Sequence, residues 1–167
     1  MALADPELAI SDIHPIDIVE TLAEAHSWDF DRMGEDQIAM AVTGQWRSYA
    51  LTLAWSASDE TLRLLCSFEM EPPEPRRAAL HDTINRANDM LWSGAFSLWE
   101  GQGLMVWRYG LLLAGGQPAT GPQVGRMITS AVHACERFYP AFQLVVWGDR
   151  PPAQALDMAI AEAYGRA

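Results

Sequence analysis

Leu62, Leu64, Cys66, Phe68 and Met70 sit two residues apart, and the same spacing recurs in Ile38, Met40 and Val42 and in Tyr49, Leu51, Leu53 and Trp55. Side chains two apart share one face of a β-strand, so each run puts its apolar groups on one side of a sheet. Three such runs in succession, parted by Gly44 and by the polar turn Ser56-Ala57-Ser58-Asp59, predict three consecutive antiparallel strands. The cluster of Pro72, Pro73 and Pro75 ends them, because proline cannot donate to a sheet ladder and favours an extended lead into a helix.

Elsewhere the period is helical. Pro15 suits the first turn of a helix, with Asp17 and Glu20 near the positive end of its dipole and Ile16, Val19, Leu22 and Ala23 in one stripe. Leu80, Ile84, Ala87 and Leu91 form a second stripe, which Gly94 closes. A hairpin follows: Ala95 to Glu100, a turn at Gly101-Gln102-Gly103, and Leu104 to Ala114. The longer strand is apolar on both faces, with Leu104, Val106 and Leu112 on one and Met105, Trp107, Tyr109, Leu111 and Leu113 on the other, and so requires cover on both. Thr120 and Gln123 fit a capping box, and Val124, Met127, Ile128, Ala131, Cys135, Phe138 and Phe142 line the helix behind it. Pro140 is expected to kink or restart that helix. Pro151-Pro152 opens a last one, with Leu156, Ala159, Ile160 and Ala163 inward.

The order α-β-β-β-α-β-β-α-α predicts an α+β domain: an antiparallel sheet of five to six strands with helices mainly on one face. All 167 residues read as one domain, 1–13 being a flexible N-terminal segment. Trp46, Trp99 and Trp107 are expected to project from the opposite face, as an apolar patch that a second copy of the chain covers.

Charge narrows the function. The chain has 22 acidic residues against 11 basic ones, a net charge of −11, and every basic residue is Arg. Without Lys there is no Schiff-base chemistry and no P-loop. Such acidity opposes nucleic acid and anionic membranes, whose binding depends on cations. The N-terminus does not read as a secretory signal, and no apolar run approaches the ~18 residues of a membrane helix. A cytoplasmic location is expected, with Cys66 and Cys135 as free, buried thiols.

Catalytic constellations are missing. His14, His26, His81 and His133 stand in separate neighbourhoods, and His133 and Cys135 diverge by about 200° on a helix, so no metal site or cofactor is expected. Cys66 lies on the apolar side of its strand, where burial disfavours a thiolate nucleophile. No Gly-x-Ser-x-Gly elbow occurs. The carboxylate pairs Asp29/Asp31, Glu35/Asp36, Asp59/Glu60 and Glu69/Glu71 fall at turns and strand ends, where charge aids solubility. Gly115-Gly116 lacks both the spacing of a dinucleotide loop and a following cation. The aromatic stretch Cys135 to Gln143 reads as core packing or, alternatively, as a groove for a peptide, which eight methionines would make adaptable.

Four stretches resemble the YbjN-like proteins, specifically their alphaproteobacterial branch: His14-Pro15-Ile16-Asp17-Ile18-Val19-Glu20, Asn85-Arg86-Ala87-Asn88-Asp89-Met90-Leu91-Trp92, Phe96-Ser97-Leu98-Trp99-Glu100 and Cys135-Glu136-Arg137-Phe138-Tyr139-Pro140-Ala141-Phe142-Gln143. The resemblance covers nearly the whole chain, and the last stretch is its most specific part. It implies a fold similar to type III secretion chaperones, which are small, acidic, dimeric domains with a curved sheet, and a role as a regulator of sensory transduction. It brings no catalytic residues.

The expectation is therefore a non-enzymatic protein-binding module, a homodimer with a chaperone-like or regulatory role that binds itself and another protein. Trp46, Trp99, Trp107 and Tyr109 would cover the sheet or form the interface, and Phe138, Tyr139 and Phe142 would line the helix contact. The competing expectation is a small-ligand or hydrolytic domain using carboxylates with His81 or His133 in a cleft.

Overall fold

The computed structural model describes residues 13–165. Among the described residues are four α-helices, α1 (Pro15–Ala25), α2 (Arg77–Asp89), α3 (Gly121–Val146) and α4 (Pro152–Gly165), and six strands, β1 (Asp29–Arg32), β2 (Gln37–Thr43), β3 (Ser48–Ser56), β4 (Thr61–Glu69), β5 (Ala95–Trp99) and β6 (Leu104–Leu112). The strands form one antiparallel sheet in the order β1-β2-β3-β4-β6-β5. The fold is α+β as expected. The segment expected over 1–13 lies, but for Ile13, outside the described residues.

Alternation decides which face is covered. Ile38, Met40 and Val42 of β2, Tyr49, Leu51 and Leu53 of β3, Leu62, Leu64, Cys66 and Phe68 of β4, and Met105 and Trp107 of β6 share one core with the inner stripes of α1, α2 and α3. The register sets Cys66 opposite Trp107 and Phe68 opposite Met105, so these side chains rise from one face. α3 spans about 39 Å at 1.5 Å per residue, long enough to cross the sheet. Ala155, Leu156 and Ala159 of α4 complete the same core.

Helix ends obey local chemistry. Thr120 Oγ1 accepts from the Gln123 N–H at 3.2 Å and Gln123 Oε1 accepts from the Thr120 N–H at 2.9 Å, closing the expected capping box. His14 Nδ1 caps α1 by accepting from the Ile16 N–H at 3.1 Å.

Three details differ from the sequence reading. β1 is an additional strand: it has only four residues and one apolar side chain, Phe30, too short a run to show a period. α2 stops at Asp89, so Leu91 lies in the loop beyond it. α3 runs through Pro140 without restarting, because Phe138, Tyr139, Ala141 and Phe142 are buried on both sides of it and hold the helix in register. The lost donor costs one hydrogen bond, which that packing offsets.

The uncovered face is not the aromatic sheet the alternation suggested. Trp107 faces the helices and is 1% exposed. Trp46 is in the β2–β3 turn. Only Trp99, half-buried on edge strand β5, shares the open face, pairing with Leu104. Most open-face positions are small or polar, such as Ala39, Ala41, Ala50, Thr52 and Ala54, with Leu65, Leu104, Val106 and Leu112 as the apolar minority.

Candidate functional site

The sequence-predicted aromatic residues divide between core and surface. Phe138 and Phe142 are completely buried and Tyr139 nearly so, which corrects their expected place at a partner contact. They build the junction of sheet and helix: Phe68 meets Tyr139 edge-on at 5.2 Å, and Phe96 meets Phe142 and Phe138 edge-on at 5.2 and 5.8 Å. Trp107 is inside too, stacked on half-buried Tyr109 at 6.0 Å. Of the seven, Trp46 alone is exposed, at 39%, with Trp99 and Tyr109 half-buried.

Trp46 stands over a surface groove. Two adjoining hollows of about 680 and 590 Å³ share Trp46 and Pro140. The first continues along Trp28, Ile128 and Val132, the second along Leu144, Gly148 and Met158. Met158 is 42% exposed, and Trp147, next to Gly148, is 59% exposed. Together they give an apolar channel between the β2–β3 turn, α3 and α4. Sequence reading missed Trp28, Trp147 and Met158; the signal for Trp147 was a large apolar residue followed by Gly148 and Asp149 at a helix end.

The channel is held open by polar anchors. Glu136 of α3 accepts from the Tyr49 hydroxyl at 2.6 Å and from the backbone N–H groups of Gln45 and Trp46 at 2.9 and 3.3 Å, fixing the turn to the helix. The Arg47 guanidinium lies 5.7 and 5.6 Å from the Phe68 and Tyr139 ring centres. At the other end Arg76 donates to the carbonyls of Val145 and Arg150 at 2.7 and 2.9 Å and pairs with Asp149 at 3.1 Å. A cation on the last carbonyls of α3 favours the helix dipole and sets the α3–α4 turn.

Titratable groups do not converge. His14 meets Asp36 at 2.8 Å and His81 meets Glu100 at 3.0 Å, both at the surface, and His26 stacks on Trp28. His133 lines the channel beside Glu136, whose oxygens are engaged by the turn. Asp59 is held below the usual carboxylate range by hydrogen bonds from Ser56 and Arg63. Among the described residues no three His, Cys, Asp or Glu side chains are placed to hold a metal ion, and no helix is long and apolar enough to cross a membrane. Of the two histidines in the competing expectation of a small-ligand or hydrolytic domain, His133 lines the channel with Glu136 and His81 pairs with Glu100 at the surface.

Comparison with known proteins accords with this fold. No curated protein sequence matches the chain. Among solved structures, YbjN from E. coli superposes with a TM-score of 0.50 at 11% identity, over 92% of this chain and 95% of that one. The HopA1–SchA chaperone–effector complex gives a TM-score of 0.48 at 17% identity, over 78% of this chain and 93% of that one. The family model YbjN, described as "Putative bacterial sensory transduction regulator", matches residues 15–144 of the 167. The chain belongs to the YbjN family.

Proposed function

We propose that this protein is a non-enzymatic protein-binding module of the bacterial cytoplasm, acting as a regulator or chaperone-like protein through the channel between the β2–β3 turn, α3 and α4. The observation that carries the reading is the channel itself, an apolar surface with Trp46 and Met158 exposed along it, Trp147 exposed next to the lining residue Gly148, and a polar clasp that fixes its shape. Exposed apolar patches of this kind mark binding sites, and tryptophan is the side chain most often found to dominate binding energy. A preformed channel spares the ordering cost of assembling one.

The proposal includes self-association. Leu65, Leu104 and Leu112 on the open sheet face, with Trp99 at its margin, are where a second copy would sit, since both sheet edges are short and β1 is mostly charged. Light scattering is expected to give twice the 18.5 kDa chain mass. Two free, buried thiols support a reducing compartment. The four stretches quoted above support a place in the alphaproteobacterial branch.

Site-specific photocrosslinking in a bacterial cell tests the binding role. A photoreactive phenylalanine analogue at Trp147 or Met158 is expected to give an adduct with another protein, and the same analogue at Arg86 on α2 none. Absence of adducts at both channel positions would contradict the reading.

A further inference from the structure

The face of the sheet that the helices leave open is patterned in rows. Successive registers align Asp31 of β1, Ala39 of β2, Thr52 of β3, Leu65 of β4 and Arg108 of β6 in one line across the strands. Their strand neighbours Met40, Leu53, Cys66 and Trp107 point into the core, so by alternation the row points away from it. Asp31 and Arg108 are both exposed, and four strand spacings put their backbones about 19 Å apart. Neither takes part in an ion pair among the described residues. The next row runs Gln37, Ala54, Arg63 and Gly110.

A row with a carboxylate at one end and a guanidinium at the other is complementary to its own reverse. A two-fold axis along β3, between two copies packed sheet to sheet, applies that reversal: β1 of each copy lies over β6 of the other, β2 over β4, and β3 over itself. Asp31 then meets Arg108 at both ends of the row. Between them Ala39 meets Leu65, small against large, Gln37 meets Arg63, and Thr52 faces its own copy. Asp29 falls over buried Val106 and Glu69 near Thr43, so no like charges coincide. An axis along the row would instead set Asp31 on Asp31 and Arg108 on Arg108. Sheets pack about 10 Å apart, a gap that an arginine and an aspartate side chain bridge together, and the length of Arg108 absorbs the offset that twist gives the row ends. A hollow of about 670 Å³ on this face, lined by Arg63, Leu65 and Arg108, has room for Gln37 and Asp31 of the second copy.

We propose that the open face is a homodimer interface in this one register, with Asp31 of each copy paired to Arg108 of the other, which rests on the self-association inferred above and gives it a geometry. Two chains of net charge −11 repel, so the faces that meet must supply local attraction. Exposed ion pairs add little affinity, but like charges brought together cost much. The two pairs therefore select the register, while the alanine-rich centre lets the sheets approach. The channel, built against α3 and α4 on the other side of the sheet, stays accessible in both copies.

Sedimentation equilibrium of the full-length chain tests this with charge reversals. Arg108→Asp makes the chain more negative and Asp31→Arg makes it less so, yet each is expected to raise the dimer dissociation constant about ten-fold or more, because each sets like charges together. The double variant restores both pairs with their signs exchanged and is expected to dimerise within about three-fold of the parent. A dimer that either single variant fails to weaken, or a double variant weakened by the product of the two singles, overturns this register and leaves self-association standing. A parent chain that is monomeric up to about 100 μM overturns the self-association reading itself, and this proposal with it. Both positions are exposed, and the double variant guards against misfolding, since a fold damaged by either change would not be rescued by both.

Discussion

Glu136 and Tyr49, 87 residues apart in sequence, meet through a 2.6 Å hydrogen bond in which the phenol donates to the carboxylate. The bond joins α3 to β3, and the same carboxylate takes two backbone donors of the β2–β3 turn. One side chain thus fixes the position of Trp46 relative to the helix that forms the channel floor.

Replacing Glu136 tests that clasp. In Glu136→Gln the amide NH₂ would face an N–H or O–H donor, so the variant should lose about 1–3 kcal/mol. Glu136→Ala should lose more. Denaturant unfolding, followed by exchange of the 44–47 amides, should show reduced global stability and a turn that opens first.

Alkaline pH gives a signed test of Tyr49. Burial, then the hydrogen bond to Glu136, push its phenol well above the ordinary range. Above about pH 10 the unfolded chain releases this proton while the native state retains it, so stability present at lower pH falls as pH rises, by about 1.4 kcal/mol per unit. Tyr49→Phe should be less stable at neutral pH and should lack this increment of the alkaline slope. Equal slopes in the two proteins would show that Tyr49 ionises normally.

Gly44 and Gly94 are among the glycines where a methyl group has no room. At Gly94, with φ +72°, a Cβ would overlap Cζ2 of Trp107, and at Gly44 it would overlap Glu136 Oε1. Gly94→Ala combines left-handed strain with that overlap and should cost about 2–4 kcal/mol. Gly44→Ala should cost less when made in Glu136→Ala than in the parent, because the carboxylate overlap is then gone and only the Tyr49 ring contact at 2.9 Å remains. Unfolding midpoints of the four proteins measure that coupling.

Asn88 binds edge strand β5 to the end of α2: its Nδ2 donates to the Phe96 carbonyl at 3.0 Å and its Oδ1 accepts from the Phe96 N–H at 2.7 Å. Asn88→Asp replaces the donor with a second acceptor facing that carbonyl. A loss of about 1–3 kcal/mol is expected, with faster amide exchange in residues 95–99 and little change in β2 or β3.

The layers and most element borders were legible because period-two and period-3.6 apolar patterns report burial directly. β1 was not, having one apolar residue in four. Facing was harder than existence: alternation along β6 separates Trp107 from Val106 but does not say which set meets the helices. The register with β4 settles it by placing Trp107 opposite Cys66, whose sulfur lies 3.6 Å from that of Cys135 on α3. The aromatic stretch around Phe138 shows the same limit, since core packing and a binding groove demand the same residue types. The channel was legible in Trp46 and in the groove reading of Cys135 to Gln143, of which Glu136, Arg137, Pro140 and Gln143 line it; its other parts come from α1's end and α4, which nothing local brings together.

Both cysteines should be inert in the native protein. The contact with Cys66, together with burial, pushes the Cys135 thiol up, away from the reactive thiolate. A chromogenic disulfide reagent at pH 8 should find almost no reactive thiol in the folded chain and both on unfolding. Rapid labelling of the native protein would contradict this packing.

Hydrogen exchange of the complex with the partner captured at Trp147 or Met158 tests the central claim most directly. Protection on binding should concentrate in the 44–47 turn, the 140–148 end of α3 and α4. Protection confined to the open face of the sheet, with those segments unchanged, would contradict the assignment of the channel as the binding surface.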